Sequence, residues 1–341
     1  MTGMWTVVAA IGSFAASGLF GLWLVPFLRK IHFGQTIREE GPKWHNSKQG
    51  TPIMGGFMFI FATVVVGTLC VMMYNLMGNE EVMLMNAKVY SGVFMAVAFG
   101  AIGFIDDYIK AVKKRNLGLT AMQKLILQFL VAGAYLLTIY LFNGTTKSFI
   151  PFVGDVEIGL FYYPLSAILI VGVVNAVNLT DGIDGLNGSV TFFAAIFFML
   201  IAGYIGRMGA SIIAASLAGA CLGFLVWNFH PAKVFMGDTG SLYLGGFVCA
   251  LAYALDMPIM LILIGLTYIL EMFSVILQVL YFKATKGKRL FKMSPIHHHF
   301  EMCGWSEVKI VLVFSIFTVI CGALAFLFVA KGGVTVPSFS Q

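Results

Sequence analysis

Long apolar runs, broken by short polar or glycine-rich passages, recur along the whole chain. They occupy approximately residues 4–28, 53–77, 89–105, 121–142, 163–178, 188–206, 209–228, 240–255, 258–282 and 308–330. Most are close to the roughly 20 residues that an α-helix needs to cross a hydrocarbon core about 30 Å thick. Region 188–228 has to be two helices, because a single one rising about 1.5 Å per residue would be roughly 60 Å long. Gly206 to Gly209 supplies the turn between them. The pattern predicts an all-α, polytopic membrane protein of about ten transmembrane helices. One helical domain is expected over residues 1–341, with no soluble domain between spans.

Composition agrees with that reading. Of 341 residues, 60% are hydrophobic and only 11% charged, against about a quarter charged in a soluble domain. An ordinary globular enzyme, a disordered chain and a nucleic-acid-binding module are thereby set aside. Cys70, Cys221, Cys249, Cys303 and Cys321 lie mostly inside apolar runs without CxxC spacing, and read as small core residues. The first run has no preceding positive charge or small-residue cleavage site and ends in Arg29 and Lys30, as a retained helix does.

The net charge of +6 matters less than where the charges fall. If the spans alternate, 17 of the 21 Lys and Arg residues lie in odd-numbered connections, and only Lys88, Lys147, Arg207 and Lys331 lie on the other side. The positive-inside rule then makes the odd connections cytoplasmic and both termini periplasmic. A re-entrant 240–255 would move the basic loop from Lys283 to Lys292 outside, so that run is counted as a span.

The odd connections also carry the candidate chemistry. After the run ending at Ile105 come Asp106 and Asp107, adjacent carboxylates whose repulsion a divalent cation or a shared proton would relieve. An acidic helix end balanced by Lys113, Lys114 and Arg115 is the plainer alternative. Asn175 to Gly188 forms an unusually polar, glycine-rich passage in which Asp181 and Asp184 could point the same way on a helical turn. Asn228 to Ser241 holds Asp238 between Gly237 and Thr239 at a helix start, a place that favours a nearby anion, although Asp238 could simply cap that helix. His297, His298 and His299 follow the basic loop. Phosphate binding suits them better than zinc, whose ligands are usually spaced. Within run 258–282, Glu271, Ser274 and Gln278 make one polar stripe facing the bundle interior.

Topology therefore gathers Asp106, Asp107, Asp181, Asp184, Asp238 and three histidines on one membrane face, whereas the other face has only Asp155 and Asp256 among the aspartates. Carboxylates, glycine turns, Lys and His together suit Mg²⁺-assisted chemistry at a diphosphate. A membrane-surface location suggests one water-soluble nucleotide substrate and one lipid substrate. A proton- or metal-coupled transporter is the alternative from another class, but it would place its carboxylates near the bilayer midplane, where only Glu271 lies.

Residues 50–56 (GTPIMGG), the Asp106–Asp107 pair, Asn175 to Gly185, Asn228 to Gly246 and Pro295 to Trp305 together resemble the bacterial phospho-N-acetylmuramoyl-pentapeptide transferases, a family of the polyprenyl-phosphate sugar-1-phosphate transferase superfamily. The resemblance runs through essentially the whole chain. It implies ten helices in the bacterial cytoplasmic membrane and a role in peptidoglycan synthesis. The implied reaction moves phospho-MurNAc-pentapeptide from UDP-MurNAc-pentapeptide to undecaprenyl phosphate with Mg²⁺, giving lipid I and UMP. It further implies Asp238 as the metal-ligating carboxylate and Asp106 and Asp107 as the pair acting on the lipid phosphate. Asn178, Asp181, Asp184, Asn228, Phe235, Gly237, Gln278 and His298 match positions lining the uridine and diphosphate pocket, and Lys48, Lys110 and Lys124 match its basic residues. His297 and His299 flank His298 in the same motif. The triple His followed by Phe-Glu is similar to this branch rather than to the sister enzymes that use UDP-N-acetylglucosamine. Ile53 departs from the family's usual Thr and lacks its hydroxyl. Direct attack and a covalent aspartyl-phosphate both satisfy these residues, and net inversion at phosphorus would exclude the second. A lipid groove is expected beside the helix at 258–282, and apolar helix faces would suit a homodimer.

Overall fold

Asp238 and Asp256 mark the two ends of the helix around which the others are arranged. In the computed structural model, residues 2–31, 48–77, 83–113, 118–142 and 144–334 are described. Of the basic positions counted above, Arg38, Lys43, Lys114 and Arg115 lie outside them. The chain runs through α1 (Thr2–Lys30), α2 (Phe57–Ala62), a π-helical turn (Thr63–Gly67) and α3 (Thr68–Leu76). It continues with α4 (Met83–Val112), α5 (Ala121–Leu141), the strands β1 (Lys147–Ile150) and β2 (Gly154–Glu157), α6 (Tyr162–Thr180), α7 (Leu186–Tyr204) and α8 (Met208–Asn228). Then come α9 (Gly237–Ala254), α10 (Met260–Ile264), α11 (Leu266–Ala284), α12 (Ile296–Met302) and α13 (Glu307–Lys331).

The protein is an all-α polytopic membrane protein. Among the described residues, nine helices are long and apolar enough to cross a bilayer, α2 and α3 counting as one. The expected tenth, α9, is not among them, and its surroundings explain why. Every residue from Thr239 to Ala254 is buried, so α9 is sheathed by protein, and its glycines and polar residues never meet lipid. It nevertheless runs the length of the bundle. Asp238 at its start meets Lys110 and Lys124, while Asp256 just beyond its end pairs with Lys88 and Arg207. α4 and α6 pack along it.

Several boundaries move, with consequences for the site. α4 continues to Val112, so Asp106, Asp107 and Lys110 stand on its last turns rather than in a loop. α6 continues to Thr180, two residues past the expected run, and carries both Asn175 and Asn178. The run at 258–282 breaks at Gly265 into α10 and α11. On α11 the polar stripe is turned inward, with Glu271, Ser274 and Gln278 buried, while Leu270, Phe273, Leu277 and Leu280 face outward. The histidines form the short helix α12. The β1–β2 hairpin, with Lys147 opposite Glu157, is an element the hydrophobic pattern did not predict.

α5 starts cleanly because Thr120 and Gln123 form a reciprocal capping box, the Thr hydroxyl accepting from the Gln123 amide and the Gln side chain from the Thr120 amide. That start fixes Lys124 on the first turn of α5, facing α9. One turn on, Gln128 accepts from the Asn175 side-chain amide at 2.7 Å, tying α5 to α6.

Candidate active site

The bundle brings the ends of α4, α5, α6 and α9 together around Asp238. Its Oδ2 accepts from Lys110 Nζ at 2.9 Å and from Lys124 Nζ at 2.7 Å, and its Oδ1 accepts from Asn178 Nδ2 at 2.9 Å. The same two ammonium groups reach Asp106 Oδ2, at 2.5 Å from Lys110 and 3.0 Å from Lys124. Asp106 Oδ1 accepts from the Leu119 amide at 2.7 Å. Asp106 is buried and Asp238 partly open, so the two carboxylates flank a cationic gap that has one open side.

Asp107 does something different. Its Oδ1 accepts from the Asp238 amide at 3.2 Å, and its Oδ2 accepts from the Thr239 amide at 2.9 Å and the Thr239 hydroxyl at 2.7 Å. The two amides are donors that α9 leaves without intrahelical partners, so Asp107 caps α9 from a neighbouring helix. Asp238 does not cap its own helix: its side chain is held by Lys110, Lys124 and Asn178 instead. Gly237 adopts φ +71°, and a Cβ there would stand 2.5 Å from Asp107 Oδ2, so only glycine fits between cap and helix.

Asp181 and Asp184 lie in the turn between α6 and α7 rather than on a helix. Burial pushes the Asp181 carboxyl up to about 8, and the charges of Asp238, Asp107 and Asp184 add to the rise. Asp184 instead enters a second cluster with Lys48, His230 and Glu307. Its Oδ1 accepts from Lys48 Nζ at 2.7 Å, and its Oδ2 accepts from the Ala232 amide at 2.9 Å and contacts His230 Nδ1 at 3.1 Å.

Other expected residues hold the backbone of the site. Asn228 accepts from the Gly185 amide at 3.1 Å and donates to the Val234 carbonyl at 2.9 Å, fastening the two glycine-rich passages together. Phe235 pairs through its backbone with Pro52 and Gly55, joining residues 50–56 to the start of α9. Gln278 accepts from the Leu290 and Phe291 amides at 3.0 and 2.8 Å and so latches the basic loop onto α11. Fully buried His297 meets fully buried Glu271 at 3.0 Å, which places the deep carboxylate of α11 behind the histidine segment. His298 Nδ1 lies 2.6 Å from Glu301, and His299 Nδ1 accepts from the Lys292 amide at 3.2 Å.

His230, Glu307 and Gln128 were not singled out from sequence. A Glu in the first turn of a helix reads as a partner of the helix dipole, and a lone Gln in an apolar run reads as an interior hydrogen bond. Nothing in linear spacing brings them to the site.

The chain matches the family described as Glycosyl transferase family 4 over residues 89–256. A phospho-N-acetylmuramoyl-pentapeptide-transferase of Clostridium perfringens (strain SM101 / Type A) is 48% identical to it across 94% of this chain and 95% of that protein. The chain belongs to the phospho-N-acetylmuramoyl-pentapeptide transferase family. The enzyme of that name from Caldicellulosiruptor bescii is 44% identical over 94% of this chain and 96% of its own length. That from Halalkalibacterium halodurans is 46% identical over 90% and 92%. These alignments cover 90–94% of the chain, so the carboxylate site, the glycine-rich passages and the histidine segment all fall within the shared region.

Proposed function

We propose that this chain transfers phospho-MurNAc-pentapeptide from UDP-MurNAc-pentapeptide to undecaprenyl phosphate, releasing UMP and forming lipid I for peptidoglycan synthesis. The observation that carries this reading is the cationic gap between Asp106 and Asp238, set at the ends of membrane helices. A site there can meet a soluble diphosphate and a membrane-anchored phosphate together. The names of the relatives favour this donor over UDP-N-acetylglucosamine.

The donor set suits Mg²⁺, a hard cation that takes carboxylate oxygens. Oxygens of Asp106, Asp107 and Asp238 lie within 4.8 Å of one another. Asp107 is engaged by the first turn of α9, so Asp238, which is partly open, would hold the ion, with Asp106 across the gap. When bound, the ion supplies charge neutralisation at the diphosphate and at the departing UMP.

The chain's own residues do the rest. Lys110 and Lys124 turn from the carboxylates towards phosphate oxygens and carry the charge that develops during transfer. Asp106 takes the remaining proton of the lipid phosphate, whose oxygen forms the new bond to the β-phosphorus as the bond to UMP breaks. Asp107 keeps the first turn of α9 in place. Asn178 aligns Asp238, and Asp181, Asp184, Lys48, Phe235 and His298 border the nucleotide and sugar, while His297 is buried against Glu271 behind them.

The distribution of Lys and Arg supports a cytoplasmic site, periplasmic termini and residence in the bacterial inner membrane. A homodimer through the outward apolar faces fits the same reading. Asp238→Asn tests the assignment: Mg²⁺-dependent UMP release should vanish in the folded variant, and a wild-type rate would overturn it.

A further inference from the structure

We propose that Glu307, on the first turn of α13, is a positioning residue that holds Lys48 and the Asp184 turn in register for the nucleotide part of the substrate. The proposal rests on the transferase reading above. Glu307 accepts from Lys48 Nζ at 2.7 Å and from the Asp184 backbone amide at 2.8 Å. Lys48 is thus gripped by two carboxylates, Asp184 and Glu307, each at 2.7 Å. His230 Nδ1 approaches both, at 3.1 Å from Asp184 and 3.9 Å from Glu307.

Two features separate this from ordinary helix capping. α13 is capped by Ser306, whose hydroxyl accepts from the Lys309 amide at 3.3 Å. Among the described residues, the Glu307 carboxylate hydrogen-bonds outside its own helix, to segments more than a hundred residues away in the chain. Asp184, His230 and Glu307 have ligand atoms within 4.8 Å of one another, and the Lys48 ammonium stands 2.7 Å from both carboxylates, so the cluster is already ion-paired in this structure.

The consequence is mechanical. Asp184 is anchored to the 228–236 passage through the Ala232 amide, and Gly185 through Asn228. Glu307 adds the tie to α13, directly after the histidine segment. Two separate stretches, around Lys48 and Asp184, are therefore held to the start of α13 by one carboxylate. A charge-assisted hydrogen bond to a buried partner is worth more than a neutral one, so Gln at this position keeps the shape and loses the grip.

The experiment uses the full-length protein in detergent with UDP-MurNAc-pentapeptide and undecaprenyl phosphate varied separately. For Glu307→Gln, the KM of the nucleotide substrate should rise about tenfold, with kcat and the KM of the lipid within about twofold of wild type. Lys48→Met should give the same split, and the double variant should be no worse than the worse single one, because both changes break one connection. Calorimetry with UMP should show the same weakening of binding. An unchanged nucleotide KM, or losses that multiply in the double variant, would overturn the proposal. So would a lowered Tm with kcat and both KM values degraded together, which would make Glu307 a purely structural residue. If Glu307→Gln does not fold, Glu307→Asp takes its place, with the carboxylate one methylene short and the same KM split expected. Absence of UMP release by wild type would count against the transferase reading itself, and UMP calorimetry on the variants would still test Glu307.

Discussion

Replacing Gly103 by Ala asks whether close packing of α4 on α9 sets the reaction geometry. A Cβ at Gly103 would stand on the Asp238 carbonyl oxygen and 2.5 Å from the Thr239 amide nitrogen. Comfortable contact is about 3.5 Å, so the first turn of α9 must retreat by roughly 1 Å. That retreat carries Asp238 away from Lys110 and Lys124, now at 2.9 and 2.7 Å, and stretches the three bonds from Asp107. Misplacement of a reacting group by about 1 Å costs on the order of 100-fold in rate, and overpacking of this kind costs about 1–3 kcal/mol of stability. The assay is UMP release at saturating substrates, with thermal unfolding to show that the variant is folded. Gly100, one turn earlier, is the control: its added Cβ would meet Tyr243 Cβ at 3.3 Å, a contact that small shifts absorb. Gly103→Ala should lose about 100-fold in kcat and Gly100→Ala less than about threefold. A folded Gly103→Ala within twofold of wild type, or equal losses in both, would refute the reasoning.

Asp107→Asn removes part of a helix cap, typically worth about 1 kcal/mol, and should lower Tm and reduce kcat roughly tenfold, whereas Asp238→Asn should retain no turnover. Complete loss in a folded Asp107→Asn would show that Asp107 acts on substrate rather than through α9. Asp181 predicts a pH effect. Its folded carboxyl titrates near 8, above the unfolded value of about 4, so the folded state holds the proton more tightly. The associated stability is fully present below pH 4 and is lost as pH rises through about 8. Thermal unfolding between pH 6 and 9 should show a decline that is shallower in Asp181→Asn, and an identical decline in the variant would contradict the assignment. Cys303 is exposed beside the histidine segment, while the other four cysteines are buried. A membrane-impermeant maleimide should label it in inverted vesicles and not in right-side-out ones, and the reverse pattern would place the site on the other face.

The apolar runs made the fold legible because lipid imposes a length and a composition on any helix that touches it. α9 shows the limit of that signal. Buried on every side, it answers to its protein neighbours, and its glycines lower its hydropathy without preventing it from traversing the bundle. The end of α4 is obscured in the sequence for a different reason. Carboxylates disfavour a helix C-terminus, so Asp106 and Asp107 look like a boundary until Lys124, Leu119 and Thr239 are seen to compensate them. The hairpin strands are four residues each, too short for alternation to register. At the site, residue types and the shared membrane face were readable from the chain. The division of labour was not: Asp107 as cap, Asp184 in a cluster of its own, and Asn228 and Gln278 as fasteners of backbone all depend on contacts between distant segments. Glu307 likewise acts only through segments distant in the chain.

The central claim is a transfer reaction at the Asp106–Asp238 gap with a specific donor. It is tested most directly by giving the purified protein undecaprenyl phosphate and Mg²⁺ with either UDP-MurNAc-pentapeptide or UDP-N-acetylglucosamine, and following UMP and lipid product together. UMP and a lipid-linked MurNAc-pentapeptide should form with the first donor, only when Mg²⁺ is present, and not in Asp238→Asn. Product from UDP-N-acetylglucosamine alone, or turnover that persists in Asp238→Asn, would contradict the account.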